Sequence, residues 1–371
     1  MHITAFIPDR IFDGGKFITD HAVLVQDETV TAIVPVEHIP PEAISYPLPH
    51  QQLVPAFMDL QIYGGNGEMF SLFPSVASLT ATYQYCMQGG ASHFMATIPT
   101  SSFRIMYEAI DAVKDYWRQD LPGLLGLHLE GPYLNPAKKG AHLPSYIKEP
   151  TLHEVKELMK AGEGVIRMMT LAPECCSREI IHYLIDQGVL ISAGHSNATY
   201  DQACEAFRLG ISTATHLYNA MSPFQHRAPG LVGAVFDKEV RSSIVVDGIH
   251  VDYAAVRVAK KIMQERLFLI TDAVTEGRTD SYTYIRQGDR YVTEQGTLAG
   301  SCLTMGSAVK NMITQVGVAP EEALRMASLY PAQVVGEDKT TGRIAPGYAA
   351  DWAVLDHDFN VQQVMIRGNR V

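Results

Sequence analysis

Between residues 51 and 330, short apolar runs of strand character alternate with segments in which apolar residues recur at helical spacing. We identify eight strand-type runs, at 53–60, 93–98, 124–130, 165–171, 189–193, 212–216, 242–246 and 267–272. Helical patterns lie at 76–88, 103–118, 152–161, 178–187, 200–209, 253–264, 307–316 and 320–328. Eightfold alternation of strand and helix is typical of a (β/α)8 TIM-type barrel, an α/β fold with its active site at the carboxyl ends of the strands.

Two regions depart from this alternation. Residues 217–237, after the sixth run, contain several Pro and Gly and show no clear helical period, so we predict a long irregular loop there. Both chain ends have strand-like pieces, including 22–25 and 30–34 at one end and 342–344, 352–355 and 361–366 at the other. We expect residues 1–50 and 343–371 to form one small discontinuous β-sandwich domain, and residues 51–342 to form the barrel.

Charge and composition narrow the possible partners. The chain has 29 Lys+Arg against 40 Asp+Glu, a net charge of −11, and its longest basic runs are Lys138–Lys139 and Lys260–Lys261. This balance argues against a nucleic-acid partner. The absence of an 18-residue apolar stretch argues against membrane insertion. The five cysteines lack CxxC spacing, which indicates reduced thiols. We therefore expect a cytoplasmic protein without a secretory signal.

Ionisable residues stand at the ends of four of the eight strand-type runs. Glu130 ends the third, His195 follows the fifth, His216 ends the sixth and Asp272 ends the eighth. Two imidazoles and one carboxylate leave a fourth tetrahedral position for water, the pattern of a catalytic metal site. Asp272 is then placed to act on that water.

The alternative for any single histidine is a hydrogen-bonded core residue. His128 lies two residues before Glu130 on the same strand face, one layer deeper, and we interpret it as such an interior residue. His93 and His226 are weaker candidates for ligands. The coincidence of four residues at four strand ends favours the metal site.

Eight motifs in these regions resemble those of the N-acetylglucosamine-6-phosphate deacetylases of the amidohydrolase superfamily, over nearly the whole chain. They are PAFMDLQIYGG (55–65), HLEGPYL (128–134), KGAH (139–142), AGHSNA (193–198), HLYNAM (216–221), DGIH (247–250), TDA (271–273) and LAGSCLTM (298–305). The resemblance implies an amide hydrolase of amino-sugar catabolism that converts N-acetyl-D-glucosamine 6-phosphate to D-glucosamine 6-phosphate and acetate.

The resemblance also implies roles for individual residues. Glu130, His195 and His216 would hold one divalent metal ion per subunit, with Zn2+ expected and Fe2+, Co2+ or Mn2+ as alternatives. Metal-activated water would attack the acetamide carbonyl, with Asp272 as general base and then general acid. The residues implied at the substrate are Ala141 and His142 with Leu298, Ala299 and Gly300 at the acetamido end, and Asn219, Ala220, Arg227 and His250 at the sugar hydroxyls and phosphate. A homodimer is implied, because the residue matching Arg227 reaches the neighbouring subunit's site in this family.

Three positions depart from common family patterns. Gln61 and Tyr63 stand where many amidohydrolases have the HxH pair of a second metal, and Ala56 stands where Gly is usual. Gln61 matches the single-metal branch, whereas Asn is expected at the position of Tyr63. The alternatives are a deacetylase for the galactosamine epimer and a noncatalytic binding protein of the same fold. Cyclic-amide hydrolysis and adenine deamination fit less well, because their usual sites use the HxH pair.

Overall fold

The computed structural model describes residues 2–279 and 281–370, and these residues form three sheets. The strands are β1 (Thr4–Phe12), β2 (Phe17–Thr19), β3 (His21–Gln26), β4 (Thr29–Pro35), β5 (Ile44–Pro55), β6 (Phe57–Ile62), β7 (Ala91–Pro99), β8 (Leu124–Glu130), β9 (Ile166–Leu171), β10 (Leu190–Ala193), β11 (Thr213–Ala214), β12 (Arg241–Ile244), β13 (Leu267–Leu269), β14 (Gly277–Arg278), β15 (Thr283–Gln287), β16 (Arg290–Val292), β17 (Leu298–Ser301), β18 (Trp352–Leu355), β19 (Val361–Ile366) and β20 (Asn369–Arg370). The helices are α1 (Val76–Gln88), α2 (Phe103–Arg118), α3 (Leu152–Ala161), α4 (Arg178–Asp186), α5 (Tyr200–Arg208), α6 (Gly230–Asp237), α7 (Tyr253–Met263), α8 (Met305–Asn311), α9 (Pro320–Ala327) and α10 (Leu329–Val335).

Eight parallel strands, β6 to β13, follow one another in chain order in one sheet. Its two ends meet where Ile62 pairs with Ala273 and the Tyr63 N–H donates to the Ala273 carbonyl at 2.9 Å. Strand β8 is buried along nearly its whole length, as expected for a parallel strand covered on both faces. The predicted (β/α)8 barrel is confirmed.

Helices α2, α3, α4, α5 and α7 each combine an amphipathic period with a side-chain cap at the N-terminus. Helix α2 begins after Ser102, whose hydroxyl accepts a hydrogen bond from the Ile105 N–H, and it buries one apolar face. Helix α5 begins with a capping box between Thr199 and Gln202. The predicted bounds of α1, α2 and α3 match the structure, and those of α4, α5 and α7 differ by one residue.

The two chain ends share a second eight-stranded sheet, in the order β20-β19-β18-β5-β1-β3-β4 with β2 beside β1. The Phe6 and Trp352 rings meet edge to face at a centroid distance of 4.8 Å within its apolar core. The predicted small β structure built from both chain ends is confirmed, with strands of both ends in one hydrogen-bonded sheet. No helix among the described residues is both long and apolar enough to cross a bilayer.

The described chain separates into two compact units. One contains Met1–Asp59, Cys86–His93 and Thr304–Val371, and the other contains Leu60–Tyr85 and Phe94–Leu303. The domain limits proposed from the sequence, 1–50 with 343–371 and 51–342, stay a prediction. All the site residues discussed below belong to the second unit.

Four expectations about local structure were wrong or incomplete. Residues 217–237 are not wholly irregular, because Gly230–Asp237 forms helix α6, which is buried on almost every side and therefore lacks an amphipathic period. The run 53–60 is divided at Ala56 between β5 and β6, and residues 342–344 form no strand. The antiparallel sheet β14-β15-β16-β17 was not predicted. Its strands are only two to five residues long, so an apolar alternation has too few positions to be recognised.

Candidate active site

Glu130, His195 and His216 converge at the carboxyl ends of the barrel strands. Glu130 is the last residue of β8, and each histidine lies two residues beyond its strand, β10 or β11. Glu130 Oε1 lies 3.1 Å from His216 Nε2 and 3.3 Å from His195 Nε2, and the two Nε2 atoms are 3.1 Å apart. All three side chains are buried. The structure therefore brings the three predicted ligands into one group whose donor atoms lie within 4.8 Å of one another.

The two predicted histidine ligands and Asp272 have left-handed backbone conformations, which non-glycine residues rarely adopt. The φ angles are 47° at His195, 39° at His216 and 54° at Asp272. Each such residue costs about 1–3 kcal/mol and needs its surroundings to hold it in place. The His216 N–H donates to Ser243 Oγ at 2.7 Å, and the Asp272 N–H donates to the Gln61 carbonyl at 3.0 Å. These two bonds hold the backbone at His216 and Asp272 in place.

The donor set fits a divalent cation. The His195 Nδ1–H donates to the Lys138 carbonyl at 2.9 Å, which leaves the Nε2 lone pair directed at the cluster. Burial lowers the pKa of His195 to about 4, so the ring is neutral near pH 7, the form that binds metals. Burial opposes ionisation of Glu130, but His142 and His195 outweigh it and hold its pKa well below the usual range. Carboxylate and neutral imidazole are ligands that Zn2+ accepts.

Asp272 lies three residues beyond β13 and faces the same cluster. Gln61 Nε2 donates to Asp272 Oδ1 at 2.8 Å and to Glu130 Oε1 at 2.9 Å, so one amide connects the two carboxylates. Burial raises the pKa of Asp272, and the charge of Glu130 raises it further while the neighbouring imidazoles lower it. A carboxylate with a raised pKa is a stronger base than a free one, which suits a group that must accept a proton and then return it.

His142 holds its proton on the nitrogen that faces the cluster. Its Nδ1 accepts a hydrogen bond from the Thr100 N–H at 3.1 Å, so the proton of the neutral ring resides on Nε2. That Nε2 lies 3.0 Å from Glu130 Oε2. His142 comes close to His195 because Gly140, with φ 56°, allows the loop to approach: a Cβ at Gly140 would lie 3.2 Å from His195 Cε1. The His142 Nε2–H therefore lies beside the predicted ligand Glu130.

Eight of the nine substrate residues predicted from sequence line one cavity above this cluster. They are Ala141, His142, Asn219, Ala220, His250, Leu298, Ala299 and Gly300. Among the described residues Arg227 lies outside this cavity, on an exposed turn where Gln225 and Ala228 exchange backbone hydrogen bonds. Arg227 is therefore not brought to the cavity of its own chain.

Two polar side chains of the cavity, Asn219 and His250, are available to form hydrogen bonds with a ligand. The Asn219 Nδ2 atom is buried without a hydrogen-bond partner in the part of the chain that the structure describes. His250 is held by Asp247, whose Oδ2 accepts from the His250 Nδ1–H at 2.6 Å while its Oδ1 accepts from the His250 N–H at 2.8 Å. Asp247 thus fixes the orientation of His250, a role that the sequence analysis did not assign.

The opposite wall of the cavity is aromatic, and its residues were not predicted from the sequence. Tyr282 and Tyr284 line it, with ring centroids 6.0 Å apart and interplanar angle 14°. The Tyr282 O–H donates to the Thr100 carbonyl at 2.7 Å and its oxygen accepts from the Leu143 N–H at 3.1 Å. Both tyrosines belong to the segment of the unpredicted sheet. The spacing of Tyr282 and Tyr284 at alternate positions was the feature of the sequence that could have indicated this wall.

The deeper histidine, His128, is an interior residue as expected. Its two ring nitrogens lie 3.3 Å from the Leu60 carbonyl and 2.7 Å from Thr170 Oγ1. Burial lowers its pKa to about 4, so it remains neutral inside the barrel. His128 is therefore hydrogen-bonded within the fold.

Comparison with known proteins places this geometry in context. Residues 52–371 match the amidohydrolase family. The chain is 35% identical to the N-acetylglucosamine-6-phosphate deacetylase of Haemophilus influenzae, covering 98% of both chains. It is 36% identical to the N-acetylgalactosamine-6-phosphate deacetylase of a Shewanella species, covering 87% of this chain and 84% of that one. The crystal structure of N-acetylglucosamine-6-phosphate deacetylase from Pasteurella multocida superposes with a TM-score of 0.95 at 34% identity, covering 100% of this chain and 99% of that one.

Proposed function

The chain belongs to the amidohydrolase family, and from this premise we propose that it hydrolyses the acetamide of N-acetyl-D-glucosamine 6-phosphate to give D-glucosamine 6-phosphate and acetate. The observation that carries the proposal is the buried group of Glu130, His195 and His216 beside Asp272. Near-complete coverage of relatives that carry the name of this deacetylase supports the substrate class.

The proposed cofactor is one divalent ion, held by Glu130, His195 and His216, with Zn2+ as the expected ion. Such an ion polarises a carbonyl oxygen and lowers the pKa of water from about 15.7 toward about 7. Gln61 and Tyr63 occupy the positions of the common HxH pair and supply no imidazole, so a second strongly bound ion lacks ligands there.

Asp272 and His142 supply the proton chemistry of the proposed reaction. The Asp272 carboxylate takes a proton from the attacking water and returns it to the sugar nitrogen as the C–N bond breaks. The His142 Nε2–H, whose position the Thr100 N–H sets, lies beside Glu130 Oε2 in the free protein and turns to the acetamide oxygen as that oxygen becomes negative. Asp272 thus accepts and returns one proton, whereas His142 keeps its own proton on Nε2.

The cavity provides different surroundings for the two ends of the substrate. Tyr282, Tyr284 and Ala299 form an apolar wall for the acetyl methyl group, whereas Asn219 and His250 offer polar contacts for the sugar and its phosphate. The net charge of −11 gives no long-range attraction for a phosphate, so local donors must bind it. We assign Arg227 to the phosphate site of a partner subunit in a homodimer.

The five free cysteines agree with the proposed cytoplasmic location.

Acetate release tests this function directly. The purified protein should release acetate from N-acetyl-D-glucosamine 6-phosphate with a higher kcat/KM than from the galactosamine epimer. The comparison is needed because a relative at 36% identity is named for that epimer. A higher kcat/KM on the galacto substrate would reassign the substrate, and no acetate from either sugar would reject the deacetylase function.

The metal proposal predicts one tightly bound ion per chain. Elemental analysis after dialysis should give a metal-to-protein ratio near one, and a chelator should abolish acetate release until Zn2+ or Co2+ is restored. Glu130→Gln should lower the ratio because it removes the only anionic ligand of the group. Two tightly held ions per chain would contradict the prediction.

The Arg227 assignment predicts a phosphate-specific defect. Arg227→Ala should raise KM for the phosphorylated sugar about 10- to 150-fold, the equivalent of losing about 1.5–3 kcal/mol from a charge-assisted hydrogen bond. The same change should affect the unphosphorylated sugar far less. The exposed Arg178→Ala, on a neighbouring barrel helix, is the control.

Mixed dimers test whether Arg227 acts across the interface. Refolding Asp272→Asn chains with Arg227→Ala chains should restore about a quarter of wild-type sites, assayed well below KM, because half of the dimers are mixed and each has one intact site. If Arg227 serves its own subunit, every site keeps one lesion. Verified mixed dimers without regained activity would reject the cross-subunit assignment.

A further inference from the structure

Tyr63 is buried in the cavity and forms hydrogen bonds to the proposed metal site. It follows β6, and its side chain is 5% exposed. Gln61 Nε2 lies 2.8 Å from the Tyr63 phenol oxygen, and the Tyr63 O–H contacts Glu130 Oε2. The Tyr63 O–H is the donor in the contact with Glu130, because an ionised carboxylate can only accept.

The two oxygens of Glu130 therefore have different partners. Oε2 accepts hydrogen bonds from the Tyr63 O–H and from the His142 Nε2–H at 3.0 Å. Oε1 faces the Nε2 atoms of His216 and His195 at 3.1 and 3.3 Å. Two donors, Tyr63 and His142, thus lie at Oε2, whereas Oε1 faces the two predicted histidine ligands and has one donor, Gln61 Nε2 at 2.9 Å.

We infer that Tyr63 is a positioning residue that holds Glu130 so that it binds the metal ion through Oε1 alone. By holding Oε2 away from the ion, Tyr63 keeps Glu130 from occupying a second coordination position, which stays open for water or the substrate carbonyl. The inference rests on the metal site of the proposed function and adds to it a residue for which the sequence analysis gave no positive role.

The aromatic ring and the hydroxyl of Tyr63 contribute separately. The ring packs in the apolar cluster that also contains Val274, Tyr284 and Ala299, so a change to Phe preserves the packing and removes only the hydrogen bonds. Tyr284 lines the same cavity and, within the described residues, donates no hydrogen bond to Glu130. Tyr284→Phe is therefore a matched control that loses the same atom from the same cavity.

Metal affinity measures the effect without reference to catalysis. Metal-free wild type, Tyr63→Phe and Tyr284→Phe would be titrated with Zn2+ against a chromophoric chelator. Loss of a group that orients a ligand typically costs 10- to 100-fold in metal affinity, so we expect Tyr63→Phe to weaken Zn2+ binding by that factor and Tyr284→Phe to leave it within about twofold. Equal affinities of wild type and Tyr63→Phe would overturn the inference.

The visible absorption of bound Co2+ reports the coordination number. A carboxylate that becomes bidentate adds a ligand atom, and tetrahedral Co2+ absorbs more strongly than five- or six-coordinate Co2+. Tyr63→Phe should therefore show a weaker Co2+ band than wild type at full metal loading, and Tyr284→Phe should not. Superimposable spectra of wild type and Tyr63→Phe would again overturn the inference.

A crystal structure of the wild-type protein with Zn2+ provides a test that needs no variant to fold. We expect Glu130 Oε1 on the ion and Oε2 within hydrogen-bond distance of the Tyr63 oxygen. Both Glu130 oxygens on the ion would reject the inference alone. A wild type that binds no divalent ion would instead reject the proposed metal site, and this inference with it.

Discussion

Asp272→Asn is expected to lower kcat for acetate release by about 10²- to 10⁴-fold, the range for loss of a general acid–base group. The amide cannot take a proton from water at neutral pH, and it cannot return one to the sugar nitrogen. The change is nearly isosteric, and the backbone bond from the Asp272 N–H to the Gln61 carbonyl is unaffected. The loss should therefore reflect chemistry and leave the fold intact.

Two controls separate this effect from damage to the site. The metal-to-protein ratio and Tm of Asp272→Asn should match the wild type, because Asp272 is not one of the three proposed ligands. Asp186→Asn, at the exposed end of α4, should leave kcat unchanged. Activity of Asp272→Asn within about tenfold of wild type, at equal metal content, would reject Asp272 as the acid–base residue.

His142→Ala is expected to lower kcat by about 10²- to 10³-fold, the typical cost of removing one hydrogen-bond donor to a developing oxyanion. The donor is the His142 Nε2–H, which remains on that nitrogen because the Thr100 N–H occupies Nδ1. This hydrogen bond strengthens as negative charge develops. Its removal should therefore change kcat more than KM. Assays would be run with saturating Zn2+, because His142 also contacts Glu130.

An activated substrate gives the second measurement for His142. The N-trifluoroacetyl analogue has a more electrophilic carbonyl whose oxyanion needs less stabilisation, so His142→Ala should slow its hydrolysis less than that of the acetyl substrate. The exposed His182→Ala should slow neither substrate. An equal loss on both substrates would contradict the role of His142 at the carbonyl oxygen.

The sequence was most informative where chemistry and position coincide in one short segment. The LHLE segment predicted both a buried strand and a terminal carboxylate at Glu130, and the structure has β8 ending at that residue. The same applies to His195 and His216, whose strands are short and buried. Because the ends of parallel barrel strands meet on one face, residues distant in sequence could be expected to form one site.

Features that depend on distant contacts were not accessible in this way. Helix α6 is apolar all round, so its sequence lacks the period by which helices are identified. Tyr282 and Tyr284 are buried at the start of a sheet of short strands, and only the packing of the folded chain brings them to the cavity. The tautomer of His142 follows from Thr100, which lies 42 residues away.

By itself, then, the sequence determined the barrel, the three candidate ligands and Asp272, because strand period and residue type are local properties. The tertiary structure decided how these groups are used. It assigned the hydrogen bond from Tyr63 to Glu130 Oε2, turned His195, His216 and Asp272 inward through left-handed backbone, and left Arg227 outside its own cavity. The physical reason is that hydrogen-bond partners, burial and backbone strain arise only when elements from distant parts of the chain pack together.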